Sequence, residues 1–120
     1  MIIIGHKDIS ADTLYRIKSF EDIEKTPPNT TVFFDFDIDL MKRCIENSVE
    51  FAVFVKDIKE ALFANSMSAK YAVCDKSKAK EIQEIAENYL FDTKIIAKIS
   101  LEYEIEKYAK LSIDGVLFER

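Results

Sequence analysis

From residue 31 onward the chain alternates short apolar runs with segments whose apolar residues recur every third or fourth position. Val32-Phe33-Phe34, Phe51 through Val55, Tyr71-Ala72-Val73-Cys74, Ile95-Ile96-Ala97 and Val116-Leu117-Phe118 are continuous runs, each ended by a charge. Runs that do not alternate with polar residues are what strands buried on both faces look like. Between them, Leu40, Met41, Cys44 and Ile45 form a helical stripe, with Asp37 or Asp39 placed to cap its start. Asp57-Ile58-Lys59-Glu60 has the spacing of a capping box, and Ile58, Ala61 and Leu62 follow on one face. Ala79, Ile82, Ile85, Ala86 and Tyr89 make the longest stripe. Leu101, Ile105, Tyr108, Ala109 and Leu111 make the last, after Ser100 and with Glu102 and Glu104 in the first turns.

The order is therefore strand, helix, strand, helix, through to Phe118. Successive right-handed crossovers build an open parallel sheet. Burial of both strand faces predicts helices above and below it. The expected class is α/β, a single doubly wound, mostly parallel sheet with helices on both faces. A closed eight-unit barrel takes about 250 residues, and this chain has 120, so association of half-barrels is the lesser alternative.

Residues 6–30 carry a weaker signal. Tyr15 through Phe20 reads as a half-exposed strand and Glu21 through Glu24 as a short helical turn; one poor helix over Ala11 to Lys25 is the alternative. Pro27-Pro28-Asn29 ends whatever precedes it, because proline lacks an amide donor and restricts the residue before it. No Gly- or Ser-rich linker divides the chain. One domain over 1–120 is expected, irregular over 1–30 and regular over 31–120.

Composition narrows the class of partner. Hydrophobic residues make up 48% and there are only two glycines and two prolines, which excludes disorder and low complexity. The net charge of -5, with no basic stripe, argues against nucleic acid and anionic membrane surfaces. Cys44 and Cys74 fall inside apolar segments without a CxxC, so they read as buried thiols of a reducing compartment. The start Met1-Ile2-Ile3-Ile4-Gly5 lacks the basic region of a signal peptide, and no apolar run approaches the length of a membrane span. A cytoplasmic protein without membrane insertion is expected.

Open parallel sheets bind ligands beyond the carboxyl ends of their strands. The polar residues there are Gly5-His6-Lys7, Asp35 and Asp37, Lys56-Asp57, Asp75 and Ser100. Asp35 stands where a ribose-binding acid closes the second strand of a mononucleotide fold. The competing role of Asp35, Asp57 and Asp75 is to cap the helices that follow. Gly5 is followed by His6-Lys7-Asp8-Ile9-Ser10 rather than GxGxxG, so the glycine turn that lets a backbone approach a pyrophosphate is missing. The candidate cofactor-binding set is Gly5, His6, Lys7, Asp35, Asp37 and Asp75, with no cofactor expected and NAD or an adenine nucleotide as the alternative. His6 is the only histidine, so neither a His-based metal cluster nor a nucleophilic triad is expected. Lys76-Ser77-Lys78 and Lys80 are the densest basic cluster, at a helix start where they oppose the dipole.

From Thr31 to Glu119 the pattern resembles the N-terminal nucleotide-binding domain of potassium-uptake and potassium-channel conductance regulators, the TrkA/RCK group, a Rossmann-like fold. Val32-Phe33-Phe34-Asp35-Phe36-Asp37 is similar to that group's second strand, with Asp35 in the place of its ribose-binding acid. Leu62, Asn65 and Met67 before Tyr71 to Asp75, Lys94-Ile95-Ile96-Ala97-Lys98-Ile99, and Tyr103 through Leu117 are similar to the elements that follow. The glycine fingerprint, the group's Gly-Asp at Val55-Lys56-Asp57 and its Asn near Lys78-Ala79 are all absent. The resemblance implies a noncatalytic regulatory or interaction domain with an altered or lost nucleotide site. It further implies a homodimer using Tyr103, Tyr108 and Phe118, and a membrane transporter or channel subunit as partner. An active nucleotide sensor, or a small enzyme at the same sheet edge, are the other readings.

Overall fold

The computed structural model describes residues 1–119. The strands are β1 (Ile2–Ile4), β2 (Leu14–Arg16), β3 (Thr31–Asp35), β4 (Phe51–Phe54), β5 (Tyr71–Asp75), β6 (Lys94–Ile99) and β7 (Gly115–Phe118). The helices are α1 (Ile38–Glu46), α2 (Ile58–Ser66), α3 (Ala79–Asn88) and α4 (Glu104–Lys110), with 3-10 turns at Phe20–Lys25 and Lys76–Lys78. All seven strands join one parallel sheet in the order β1-β7-β6-β5-β4-β3-β2. The α/β class and the parallel sheet flanked by helices are as expected, consistent with a Rossmann-like fold. The weak N-terminal region also resolves into a strand and a short turn, the strand being only Leu14–Arg16.

The strand order adds something the alternation does not contain. From β2 to β7 every crossover steps the same way along the sheet, so crossovers of one hand deliver every helix to one face. The buried residues of all four helices, including Leu40, Met41, Ala61, Ile82 and Tyr108, accordingly share one core with Val32, Phe34, Val53, Ala72, Ile95 and Val116. A second core lies on the other face and contains strand residues alone: Ile4, Ala52, Tyr71, Val73 and Ile96, with Leu14, Phe33, Phe54 and Leu117 partly buried against them. Ile4 of the edge strand β1 meets residues of the central strands there, which requires the sheet to curl over itself. Helices thus cover one face of the sheet, against the expectation of helices on both. The second face is buried by the sheet's own side chains, the same device by which barrels fill their interiors.

Caps fix where the helices begin. Asp37 accepts from the Leu40 N–H at 3.0 Å, and Asp57 accepts from the Glu60 N–H at 2.9 Å while Glu60 accepts from the Lys56 N–H. The last helix starts later than predicted. Ser100 does not cap it; instead Glu104 accepts from the Ser100 and Leu101 N–H groups. Tyr89 and Ala109, placed on apolar stripes by spacing, are exposed, as is Ile45.

Residues 5–13 return the chain from the top of β1 to the foot of β2, and β1 and β2 are the two edges of the sheet. The Ala11 N–H donates to Ile3 O at 2.8 Å, so this strap lies along an otherwise unpaired edge. Asp12 then reaches β5, accepting from Lys70 Nζ at 2.9 Å and Tyr71 Oη at 3.0 Å.

Gly115, in β7 between β1 and β6, faces the crowded interior. A Cβ there would stand 2.6 Å from Ile2 O and 2.7 Å from Ile96 Cδ1. Backbone cannot yield as a side-chain tip does, so Gly115→Ala is expected to cost about 1–3 kcal/mol, seen as a lower chemical-denaturation midpoint. An unchanged midpoint would show that the inner face is looser than described.

Candidate functional site

The curl leaves two depressions of similar size, one at each end of the strands. At the amino ends, about 590 Å³ is bounded by Glu50, Phe51, Lys70, Tyr71 and Lys94 among others. Two of its polar groups, Lys70 and Tyr71, are engaged structurally by Asp12. At the carboxyl ends, about 620 Å³ is lined by Leu14, Arg16, Phe33, Asp35, Phe54, Lys98, Leu117, Phe118 and Glu119. Five strands contribute to this mouth, and β2 and β7 meet there only because of the curl. It lies on the side of a parallel sheet where ligand sites are found, and its volume falls within the roughly 300–1,000 Å³ typical of small-molecule pockets.

Strand alternation builds the mouth in two levels. Leu14, Phe33, Phe54 and Leu117 form an apolar floor. One pleat further along their strands, Arg16 and Asp35 follow Leu14 and Phe33, while Lys98 follows the buried Ile96. Arg16 Nη2 donates to Asp35 Oδ1 at 2.9 Å, with the guanidinium 5.0 Å from the centre of the Phe33 ring. Lys98 Nζ lies 2.9 Å from Glu119 Oε2 and 5.1 Å from the centre of the Phe54 ring. Phe54 sits opposite Asp35 in the register of β3 and β4, so it stands between the two ion pairs.

Of the residues predicted from sequence, Asp35 alone lines this mouth. Asp37 is committed to capping α1. Asp75 accepts from the Ser77 hydroxyl and N–H at 2.6 and 2.9 Å, and these bonds hold its carboxyl below the usual carboxylate value. Gly5, His6 and Lys7 border a smaller neighbouring depression of about 210 Å³, which shares Phe118 and Glu119 with the mouth. Gly5 has φ +81°, and a Cβ there would stand 2.9 Å from Phe118 O. It closes β1, and β7, β6, β5 and β4 lie between that strand and β3 with Asp35. The glycine turn and the acid therefore do not close adjacent strands, as they do in a mononucleotide fold. Arg16, Lys98 and Glu119 were not identified from sequence. An apolar–cationic alternation at Leu14-Tyr15-Arg16 and Ile96-Ala97-Lys98 was the available signal, but it points into a common space only once the curl is known.

The nearby titratable groups have specific partners. His6 Nδ1 accepts from the N–H groups of Asp8 and Ile9 at 3.1 and 3.2 Å, so the proton sits on Nε2, which faces Glu102 Oε2 at 3.2 Å. Lys76 of the basic cluster bonds Glu104 at 2.6 Å, which raises the ammonium and lowers the carboxyl from their ordinary values. Of the three aromatics assigned to a dimer surface, Tyr103 is exposed and Tyr108 is buried, while Phe118 packs edge-on against His6. The last strand is not a free edge, because β1 covers its outer side. Among the described residues no group of three or more His, Cys, Asp and Glu side chains is assembled to hold a metal ion, and no helix is long and apolar enough to cross a membrane.

Two measurements check this account. Burial would raise the Asp12 carboxyl, but hydrogen bonds from Lys70, the Thr13 N–H and Tyr71 overcome it and hold the group below its ordinary 3.8. A depressed carboxyl stabilises the fold fully above the unfolded value, and that contribution is lost as pH falls through the folded value. Asp12→Ala is thus expected to lose about 1–3 kcal/mol at neutral pH and to flatten the acid limb of stability against pH; an unaltered acid limb would contradict the tether. Burial also pushes the Cys44 thiol up to about 11 and the Cys74 thiol up to about 12. Alkylation at pH 7.5 should therefore leave both unmodified until denaturant is added, and rapid labelling in the native state would refute their burial.

No protein-family model matches the chain, and no curated protein matches it in sequence.

Proposed function

We propose that this chain is a noncatalytic regulatory domain that senses a small molecule at the mouth of its curled sheet. The observation that carries the reading is the mouth itself, with an apolar floor on rigid strands and two ion pairs at its rim. The charged groups there are tied to one another, and the only histidine has both ring nitrogens engaged outside the mouth. Such a set suits recognition better than proton or acyl transfer, which needs an acid, a base or a nucleophile free to face a substrate. The TrkA/RCK resemblance supports a regulatory role, with control of potassium transport as its specific form. It favours the nucleotide alternative less, because Gly5 and Asp35 lie on strands well apart in the sheet.

Titration of isotopically labelled protein with a mixed panel of amino acids, small carboxylates, amines and adenine nucleotides separates the readings. Saturable backbone shifts around Arg16, Asp35, Phe54 and Lys98, with the ligand recovered unchanged, are the expected outcome. Shifts centred on Gly5 to Lys7 with nucleotides would transfer the site to the glycine turn. Consumption of the ligand would make the chain an enzyme.

A further inference from the structure

We propose that the ligand class of the mouth is a zwitterion with an apolar body, an α-amino acid carrying a large apolar side chain. This rests on the reading of the mouth as the ligand seat. The two ion pairs there are only partly used as hydrogen-bonding groups. Arg16 donates to Asp35 through Nη2 alone, and Asp35 accepts that bond through Oδ1. A guanidinium has five donors, an ammonium three, and a carboxylate two acceptor oxygens, so each pair presents spare donors beside a spare acceptor. That is the arrangement an ammonium and a carboxylate on one carbon require.

Charge balance selects among ligands. A simple anion that drew Arg16 or Lys98 to itself would strip Asp35 or Glu119 of its partner, and a simple cation would strip the bases in the same way. These groups are half-exposed, so the loss is modest, but it offsets part of what a ligand with a single charge gains. A zwitterion inserts its carboxylate against the base and its ammonium against the acid, so no group is left alone. The insertion itself is cheap, because these pairs are half-exposed and exposed pairs contribute only about 0–1 kcal/mol. The cations are the more recessed members. Lys98 is 32% exposed against 55% for Glu119, and Arg16 51% against 76% for Asp35. The ligand carboxylate thus seats deeper than its ammonium, over Phe33 and Phe54. Asp75 stands opposite Lys98 in the strand register, but it does not line the cavity, and Ser77 donates to its Oδ2. The floor of Leu14, Phe33, Phe54 and Leu117 between the pairs then takes an apolar side chain. Among the described residues no other ion pair borders this apolar cavity.

The test compares L-phenylalanine with 3-phenylpropionate, which lacks the ammonium, and 2-phenylethylamine, which lacks the carboxylate, by calorimetry and by amide shifts at the mouth. L-Phenylalanine should bind at the mouth, with each single-charge analogue at least tenfold weaker. Arg16→Gln and Glu119→Gln, both at exposed positions and checked for an unchanged melting temperature, should each weaken L-phenylalanine at least tenfold and narrow its advantage over the analogues. Equal or tighter binding of either analogue, or no binding of L-phenylalanine, overturns the zwitterion assignment. A mouth still shifted by other members of the mixed panel would leave it a ligand seat of another class. A mouth that no member shifts removes the seat as well, so the two failures read differently.

Discussion

Everything in this molecule depends on burying the second face of a parallel sheet that has helices on only one side. A strand order that advances in one direction puts α1 through α4 on the same face. The inner face then holds Ile4, Ala52, Tyr71, Val73 and Ile96, all at most 5% exposed. Leaving such residues in water would forfeit about 1.5–3 kcal/mol for each large side chain, a large fraction of the stability of a domain this size. Curling the sheet recovers that burial without a second layer of helices. It also sets the size of the mouth, because the curl brings the ends of β2 and β7 to the same cavity.

Much of this architecture was legible from the chain. Strand positions from Val32 onward followed from continuous apolar runs, Asp57 declared the start of α2, and Asp37 was one of two residues offered for that of α1. The runs were correctly read as buried on both sides, but burial on both sides has two physical solutions, and periodicity does not distinguish them. The difference lies in strand order. Order is set by the pairing of β1 with β7, a contact between residues such as Ile2 and Gly115 that no local pattern encodes. The site was less legible for the same reason. Asp35 was singled out, yet its partner Arg16 lies in a three-residue strand with little hydrophobic signature, and Lys98 reads as an ordinary strand-ending charge until the curl turns both inward.

The acidic residues at the strand ends divide by what their neighbours demand. Asp37, Asp57 and Asp75 meet backbone N–H groups that would otherwise lack partners, and their carboxylates are used there. Asp35 closes its strand two residues before the cap Asp37, too early to reach those amides, and so pairs across to Arg16 instead. A two-residue offset in one loop separates a structural carboxylate from one available to a ligand. The aromatic residues divide similarly: Phe34 and Phe51 stack within the helix-side core, whereas Phe33 and Phe54 hold cations over their faces at the mouth.

The pairing of β1 with β7 has a consequence for how the molecule is made. During synthesis Ile2–Ile4 are made before the other six strands and β7 after them, so β1 stays without the strand that pairs with it until all the others exist. Strands β2 through β7, by contrast, each find a neighbour as soon as the next unit appears. Assembly is thus sequential from β2 onward and closes only when β1 meets β7, with the longest loop in the topology left to that step.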